Sequence, residues 1–164
     1  MGTAIYPGSF DPVTLGHLDI IKRAAAQFDR VVVCVMVNSD KHGMFTPEER
    51  VELLRRVTRG LDNVEVDFSN ALLSDYAKSR GATVVVKGLR EVSDFEKEFQ
   101  MALINRKLNP DLDTMFLTAR QNFTYLSSSV VKEMARYHVE LDDFLPPEII
   151  GDMVKRMDEI RRNG

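Results

Sequence analysis

Five short apolar segments alternate along the chain with segments of helical pattern, and this alternation limits the fold more than any other feature. Two of the five, RVVVCVMV at 30–37 and ATVVVKGL at 82–89, are apolar at successive positions, as expected of parallel strands covered on both faces. Strands that alternate with helices form βαβ units with right-handed crossovers. The sequence therefore predicts an α/β fold: a single Rossmann-like doubly wound domain with a five-stranded parallel sheet and C-terminal helices.

The bounds of the other elements follow from periodicity and from end signals. The remaining strands are predicted at 3–7, 63–68 and 113–118. Thr46, Pro47 and Glu49 supply the N-cap, the first helical position and the closing acid of a capping box, for a helix that ends near Gly60. The other helices are predicted at 16–28, 71–81, 94–108, 128–138 and 146–162.

Composition excludes several classes of protein. A chain of 164 residues is long enough for one sizeable core, and we expect one domain over residues 1–164. A net charge of −3 argues against a general nucleic-acid-binding protein. No apolar run approaches the roughly 20 residues of a membrane span, and no secretory signal is visible. The single cysteine, Cys34, excludes an intramolecular disulfide, which suits a reducing compartment, and we expect it in the core. Together these observations predict a cytoplasmic protein with no membrane partner.

Ligands of such sheets bind at the carboxyl ends of the strands, so we expect functional residues just after strands 1, 2, 4 and 5. The first strand is followed by GSFDPVTLGH, which leads into a helix N-terminus near Gly16, an arrangement that binds anions. Ser9 offers a hydroxyl there, and His17 offers a hydrogen-bond donor or a positive charge. The alternative is that Thr14 only caps the helix and His17 is an ordinary surface residue.

Cations follow the second and the fourth strands. Lys41, in the loop NSDKHGMF at 38–45, is either a phosphate ligand or an ordinary solvated lysine. Lys87 comes directly after three valines, with Arg90 three residues further on, which indicates an anion nearby. Ion-pair networks also use such positions, and the alternative is a salt bridge to one of three nearby acids: Glu91, Asp94 or Glu98.

Three consecutive serines, Ser127–Ser129, begin the helix after the fifth strand. One serine is enough for an N-cap, so three indicate a row of hydroxyl and N–H donors that faces an anion. The alternative is a redundant cap. Together the four segments describe a site for several phosphate groups.

TLGH at 14–17 fits the T/HxGH signature of the nucleotidyltransferase superfamily, and YPGSFDPVTLGH around it narrows the match. With KGLR at 87–90, LSSSVVKE at 126–133 and FLPPE at 144–148 in the same order, the chain resembles the bacterial phosphopantetheine adenylyltransferase family over residues 4 to about 147. Two departures are Leu126, at a position that is Ile or Val in the family, and Lys87, where some members have Arg. Lysine keeps the charge and loses the bidentate geometry.

The resemblance implies a nucleotidyltransferase that moves AMP from ATP to 4′-phosphopantetheine, giving dephospho-CoA and pyrophosphate for coenzyme A biosynthesis. It implies His17 and Lys41 as catalytic residues and a homohexamer built as a dimer of trimers. The residues that it places on the phosphopantetheine are Ser9, Lys41, Leu73 and Lys87. The residues that it places on ATP are Ser9, Phe10, His17, Gly88, Leu89, Arg90, Glu98, Phe123, Thr124, Tyr125, Leu126, Ser127, Ser128 and Ser129.

The mechanism we expect is direct in-line displacement, because no GxSxG elbow, HExxH site or Cys–His pairing is visible in the sequence. No residue is assigned to a metal; Mg²⁺ is expected through phosphate oxygens and water. One alternative is the same superfamily with another acceptor, such as nicotinamide mononucleotide, or glycerol phosphate with CTP. A second is a nucleotide-sensing module without catalysis, on a similar fold. KGLR and FLPPE favour the phosphopantetheine enzyme.

Overall fold

The computed structural model describes residues 1–38, 40 and 42–164, and a five-stranded parallel sheet lies at its centre. In space the strands follow the order β3-β2-β1-β4-β5, and every neighbouring pair is parallel. This confirms the predicted Rossmann-like α/β class. The strands are β1 Thr3–Gly8, β2 Arg30–Met36, β3 Val64–Ser69, β4 Val84–Leu89 and β5 Asp113–Thr118.

Helices connect consecutive strands and then close the chain. The helix α2 begins with the predicted capping box: the Thr46 N–H donates to Glu49 Oε2 at 2.7 Å, and the Glu49 N–H donates to Thr46 Oγ1 at 3.2 Å. A 3₁₀ turn over Gln121–Phe123, which periodicity did not predict, precedes the fifth helix. The helices are α1 Leu15–Gln27, α2 Pro47–Val57, α3 Leu73–Ser79, α4 Val92–Leu108, α5 Ser128–Arg136 and α6 Pro147–Asn163.

Two predicted elements are longer than the observed ones around Gly81. The helix over 71–81 is limited to Leu73–Ser79, and the strand over 82–89 begins only at Val84. Gly81 has a φ of +65°, and the Ala82 N–H donates back to the Ala77 carbonyl at 2.9 Å, which closes the helix C-terminus. Ala82 is therefore used to end α3 and cannot begin the strand.

The second strand packs against a core on each face of the sheet. Val31, Val33 and Val35 belong to the larger core, whereas Val32 and Cys34 belong to a smaller one against α3. This explains why the segment is apolar at every position. Cys34 is fully buried, as predicted, and burial raises the pKa of its thiol to about 11, so the thiol is inert near neutral pH.

The order of the strands places the site. β1 pairs with β2 on one side and with β4 on the other, so the direction in which the chain adds strands reverses between β1 and β4. Helices α1 and α2 belong to the larger core on one face of the sheet, and α3 belongs to the smaller core on the other face. A crevice therefore opens at the carboxyl ends of β1 and β4, where this topology binds ligands. Helix α6 lies against the larger core through Ile149, Met153 and Met157. Nowhere in residues 1–38, 40 and 42–164 is a helix both long enough and apolar enough to cross a membrane.

Candidate active site

A cavity of about 310 Å³ occupies this crevice. Its walls come from three segments: the loop after β1 with the start of α1, the end of β4, and the loop after β5 with the start of α5. Nine residues predicted from the sequence line it, and four others complete the wall. The lining residues are Ser9, Thr14, Gly16, His17, Ile20, Gly88, Arg90, Ala119, Phe123, Leu126, Ser127, Ser128 and Ser129.

The loop after β1 turns sharply so that Ser9 is exposed at the cavity and Phe10 is buried. Phe10 has a φ of +47°, a conformation that side chains with a Cβ rarely adopt, and only 1% of its surface is exposed. Its ring packs edge-on against His17, with 4.9 Å between the ring centroids. Phe10 was predicted to contact ATP; the structure places its side chain beneath His17, outside the cavity wall.

Thr14 caps α1, as one alternative from the sequence had it, but His17 is not an ordinary surface residue, because it takes part in the cap and lines the cavity. Thr14 is the N-cap of α1, and its backbone N–H donates to His17 Nδ1 at 3.0 Å, so the histidine takes the place of the usual Glu in a capping box. A ring nitrogen that accepts a hydrogen bond carries no proton, which assigns the proton to Nε2. Nε2–H is then the ring group left to donate to a ligand in the cavity.

The charge state of His17 follows from its surroundings. Burial and, to a smaller extent, the positive charges of Arg90 and Lys87 together lower the pKa of His17 from the usual 6.5 to about 4. The imidazole is therefore neutral near pH 7. Of the two possibilities that the sequence offered, a donor or a positive charge, the structure supports the donor.

Lys87, in β4, and Arg90, directly after it, each pair with an acid of α4, and Arg90 Nε lies 3.7 Å from Asp94 Oδ2. The Arg90 guanidinium lines the cavity and donates from Nη1 to the Leu126 carbonyl at 3.1 Å, which joins β4 to the start of α5. Lys87 Nζ lies 3.3 Å from Glu98 Oε2, and about a quarter of each side chain is exposed. Salt bridges to two of the acids considered from the sequence, Asp94 and Glu98, are therefore present, and the Lys87–Glu98 pair joins two residues that were both predicted to bind substrates.

The three serines perform three separate tasks. Ser127 is the N-cap of α5, and its hydroxyl accepts from the Val130 N–H at 3.2 Å. The Ser128 hydroxyl donates to the Pro12 carbonyl at 2.8 Å and so joins α5 to the loop after β1. Ser129 is exposed at the cavity, and within the described part of the chain its hydroxyl makes no hydrogen bond. The predicted row of donors therefore consists of Ser129 and the N-terminal backbone of α5.

Several predicted residues lie away from this cavity. Leu73 packs on the opposite face of the sheet, against the smaller core. Leu89 lines a neighbouring apolar cavity together with Phe95 and Ala119. The Thr124 hydroxyl donates to the Gln121 carbonyl at 3.0 Å, and Tyr125 is exposed. Lys41, predicted to be catalytic, lies outside the described residues.

Sequence reasoning missed Asp11, which is 5% exposed and lies directly behind the cavity loop. Asp11 accepts from Lys132 Nζ at 2.9 Å, and Arg50 Nε lies 3.4 Å from its other oxygen. Burial raises the pKa of this carboxyl, but hydrogen bonds from Lys132 and from the Phe45 and Met44 N–H groups outweigh it and lower the pKa overall. The only signal in the sequence was a charged residue between Phe10 and Pro12.

The cavity is built to receive an anion. Its described wall offers the Arg90 guanidinium, the neutral His17 donor, two exposed serine hydroxyls and two helix N-termini. No carboxylate is among the lining residues. Across the described part of the chain, no three side chains of His, Cys, Asp or Glu are grouped so that they could hold a metal ion.

Comparison with known proteins identifies close relatives over the whole chain. Residues 5–134 match the cytidylyltransferase-like family model. A phosphopantetheine adenylyltransferase of Caldanaerobacter subterraneus subsp. tengcongensis is 55% identical over 156 residues, which are 95% of this chain and 98% of that protein. A phosphopantetheine adenylyltransferase of Clostridium perfringens is 47% identical over 164 residues, the full length of both proteins.

More distant structures share the fold. A Plasmodium falciparum nicotinic acid mononucleotide adenylyltransferase, solved with NaAD, superimposes with a TM-score of 0.65 at 13% identity, over 98% of this chain and 96% of that one. The same enzyme solved with APC gives a TM-score of 0.66 at 13% identity, with the same coverage. At this identity the likeness supports the nucleotidyltransferase fold and says nothing of the acceptor.

Proposed function

The chain belongs to the phosphopantetheine adenylyltransferases of the cytidylyltransferase-like family, and we propose that it transfers the adenylyl group of ATP to 4′-phosphopantetheine. The products are dephospho-CoA and pyrophosphate, so the reaction is a step of coenzyme A biosynthesis. The activity is assigned to residues 1–164 acting as one domain. The neutral His17 donor beside Arg90, in a cavity with no carboxylate in its described wall, is the observation that carries the proposal.

The reaction is a direct in-line displacement. An oxygen of the acceptor phosphate forms a bond to the α-phosphorus of ATP, and the bond from that phosphorus to the bridging oxygen of the β-phosphate breaks. Pyrophosphate leaves with the electron pair. Because the attacking phosphate is already an anion, the protein must supply position and charge stabilisation, and a general base is not required.

His17 stabilises the charge that develops on the α-phosphate. A neutral Nε2–H donor suits this task because its position is fixed by Thr14 and Phe10 before the substrate arrives. The N-terminus of α1 adds backbone N–H groups and the positive end of the helix dipole. Ser9 orients the attacking phosphate, and Lys41 bridges toward it.

The leaving pyrophosphate is held on the opposite side, by Arg90 and the start of α5. Arg90 is fixed to α5 through the Leu126 carbonyl, so a pyrophosphate held by Arg90 also meets Ser129 and the N-terminal N–H groups. We assign Glu98 and the other residues predicted to bind ATP to this side as well, except Phe10, whose ring supports His17 from below. Leu73 and Lys87 are assigned to the acceptor; for Lys87 this requires that the Glu98 pair open or be shared when substrate binds.

Mg²⁺ enters this proposal with the nucleotide. The described wall has hydroxyl and backbone groups that suit a hydrated ion, and no carboxylate to bind it directly. The ion would be ligated by phosphate oxygens and water, and it would neutralise part of the charge of the triphosphate.

The experiment measures pyrophosphate release with one acceptor at a time. Phosphopantetheine, nicotinate mononucleotide and nicotinamide mononucleotide are each tested with ATP, and glycerol phosphate is tested with CTP. We expect turnover with phosphopantetheine and none above background with the others. Turnover with a mononucleotide would reassign the acceptor. ATP binding without pyrophosphate release for any acceptor would favour the nucleotide-sensing module.

We also propose that the enzyme assembles as a homohexamer, a dimer of trimers, and works in the cytoplasm. Helix α4 supports assembly because its only fully buried residue is Asn105, while apolar side chains such as Phe99 and Ile104 are exposed. Light scattering should give six copies for the native chain and fewer for Phe99→Lys. Val154→Lys, on the exposed side of α6, is the matched control and should leave six. A native monomer would contradict the proposal.

A further inference from the structure

The peptide segment Met44–Phe45, between β2 and α2, is held at all four of its backbone polar groups by charged side chains. The Met44 and Phe45 N–H groups each donate to one oxygen of Asp11 at 2.8 Å. The Met44 carbonyl accepts from Arg156 Nη1 at 2.7 Å, and the Phe45 carbonyl accepts from Arg50 Nε at 2.8 Å. Charge-assisted hydrogen bonds of this kind are about twice as strong as neutral ones.

The three side chains come from three distant parts of the chain. Asp11 belongs to the loop after β1, Arg50 to α2, and Arg156 to the C-terminal helix α6. Arg156 also lies over the Phe45 ring, with 4.9 Å from its guanidinium carbon to the ring centroid, and donates to Glu49 Oε2 at 3.0 Å. Through Arg156, the C-terminal helix therefore contacts Met44 and Phe45 directly.

The same network reaches the cavity. Arg50 Nη1 donates to the Ser9 carbonyl at 3.4 Å, and Lys132, on α5, donates to Asp11. Gly43, directly before the clamped segment, fits against the network so closely that a Cβ there would lie 1.7 Å from Arg50 Nη2. The position of residues 43–45 is thus fixed relative to Ser9 on one side and to α6 on the other.

We propose that Arg156 is a positioning residue: through the Met44 carbonyl and the Phe45 ring, the C-terminal helix holds residues 43–45 in place relative to Ser9, on the acceptor side of the active site. Arg156 is not among the residues that line the cavity, so its proposed effect passes through Met44 and Phe45. The kinetic part of this inference rests on the proposed function, because it needs the acceptor reaction as its readout. The structural part does not.

The test compares Arg156→Gln with Asp152→Asn. Asp152 accepts a bidentate bond from Arg56, at 2.7 and 3.1 Å, and this pair joins α6 to α2 without touching residues 43–45. Both variants therefore weaken the packing of α6 against α2, but only Arg156→Gln removes the contacts to Met44 and Phe45. Arg156→Lys, which keeps the charge and one donor, is the conservative variant for rescue.

For Arg156→Gln we expect kcat/KM for phosphopantetheine to fall by about 10- to 100-fold, since small misplacements have effects of this size. The KM for ATP should change less than about twofold, Arg156→Lys should recover part of the loss, and Asp152→Asn should stay near the native values. Equal losses in both variants, equal effects on both substrates, or no loss in Arg156→Gln would each overturn the proposal.

Amide hydrogen exchange gives a second readout that needs no activity. The Met44 and Phe45 N–H groups should exchange at least about tenfold faster in Arg156→Gln than in Asp152→Asn at matched thermal stability. Unchanged exchange at these two amides would refute the proposal that Arg156 holds Met44 and Phe45 in place, even if the acceptor reaction is as proposed. Faster exchange in a protein that does not use phosphopantetheine would support the clamp and refute the proposed function.

Discussion

Substitution of His17 separates its role in capping α1 from its role in the cavity. In His17→Ala the buried Thr14 N–H loses its acceptor, which costs about 1–3 kcal/mol of the free energy of unfolding. For a chain of this size that loss lowers Tm by about 2–4 °C per kcal/mol. The same substitution removes the Nε2–H donor, and the loss of one such donor lowers kcat by about 10²–10³-fold.

His17→Glu is the variant that separates the capping role of His17 from its role in the cavity. Glu at the third helical position is the usual partner of a Thr N-cap, so its carboxylate can accept from the Thr14 N–H and restore Tm to near the native value. The same carboxylate puts a negative charge against the phosphates, so turnover should fall at least as far as in His17→Ala. His17→Gln, which also caps but carries no charge, isolates the effect of repulsion.

Thermal unfolding and pyrophosphate release measure the two effects separately. We expect stability and activity to dissociate, with His17→Glu stable and inactive. If His17→Glu is as unstable as His17→Ala, the capping role is refuted. Near-native turnover in either variant would refute the assignment of His17 to the reacting phosphate.

Two further predictions concern pH and the Asp11 network. Because the pKa of His17 is about 4 in the folded chain and 6.5 when exposed, the unfolded chain binds more protons between these values, and stability is lost as the pH falls through them. Urea unfolding at pH 7.5 and pH 5 should show a loss of about 2 kcal/mol that is absent in His17→Gln; equal pH dependence in both would contradict the buried neutral ring. Gly43→Ala should cost about 1–3 kcal/mol, since its Cβ would collide with Arg50. Gly60→Ala, whose Cβ meets nothing within 4 Å, should change the free energy of unfolding by less than about 0.5 kcal/mol. Equal effects of the two substitutions would show that Arg50 and Asp11 can shift to make room for the methyl group.

The sheet could be predicted from the sequence because its pattern is local. A strand such as RVVVCVMV is apolar at every position only when both faces are covered, and the alternation with helices then requires parallel pairing. The motifs that supply His17, Arg90 and the serines follow strands that end at one edge of this sheet. Their convergence on one cavity was therefore implied by the same pattern.

The Asp11 network could not be predicted, because its members are brought together only by the tertiary fold. Asp11, Arg50, Lys132 and Arg156 are separated by at least 24 residues along the chain. Each sits in a local context that predicts an ordinary exposed charge. The tasks of Ser127 and Ser128 were hidden for a similar reason: one depends on where α5 begins, and the other on the Pro12 carbonyl more than a hundred residues earlier.

The central claim, that the acceptor phosphate attacks the α-phosphorus of ATP, can be tested with phosphopantetheine labelled with ¹⁸O in its phosphate. The products of one turnover with unlabelled ATP would be separated, and their masses would be determined by mass spectrometry. We predict that all of the label remains in dephospho-CoA, with one labelled oxygen in the new bridge, and that the pyrophosphate is unlabelled. Label in the pyrophosphate, or AMP released without any labelled dephospho-CoA, would contradict the account.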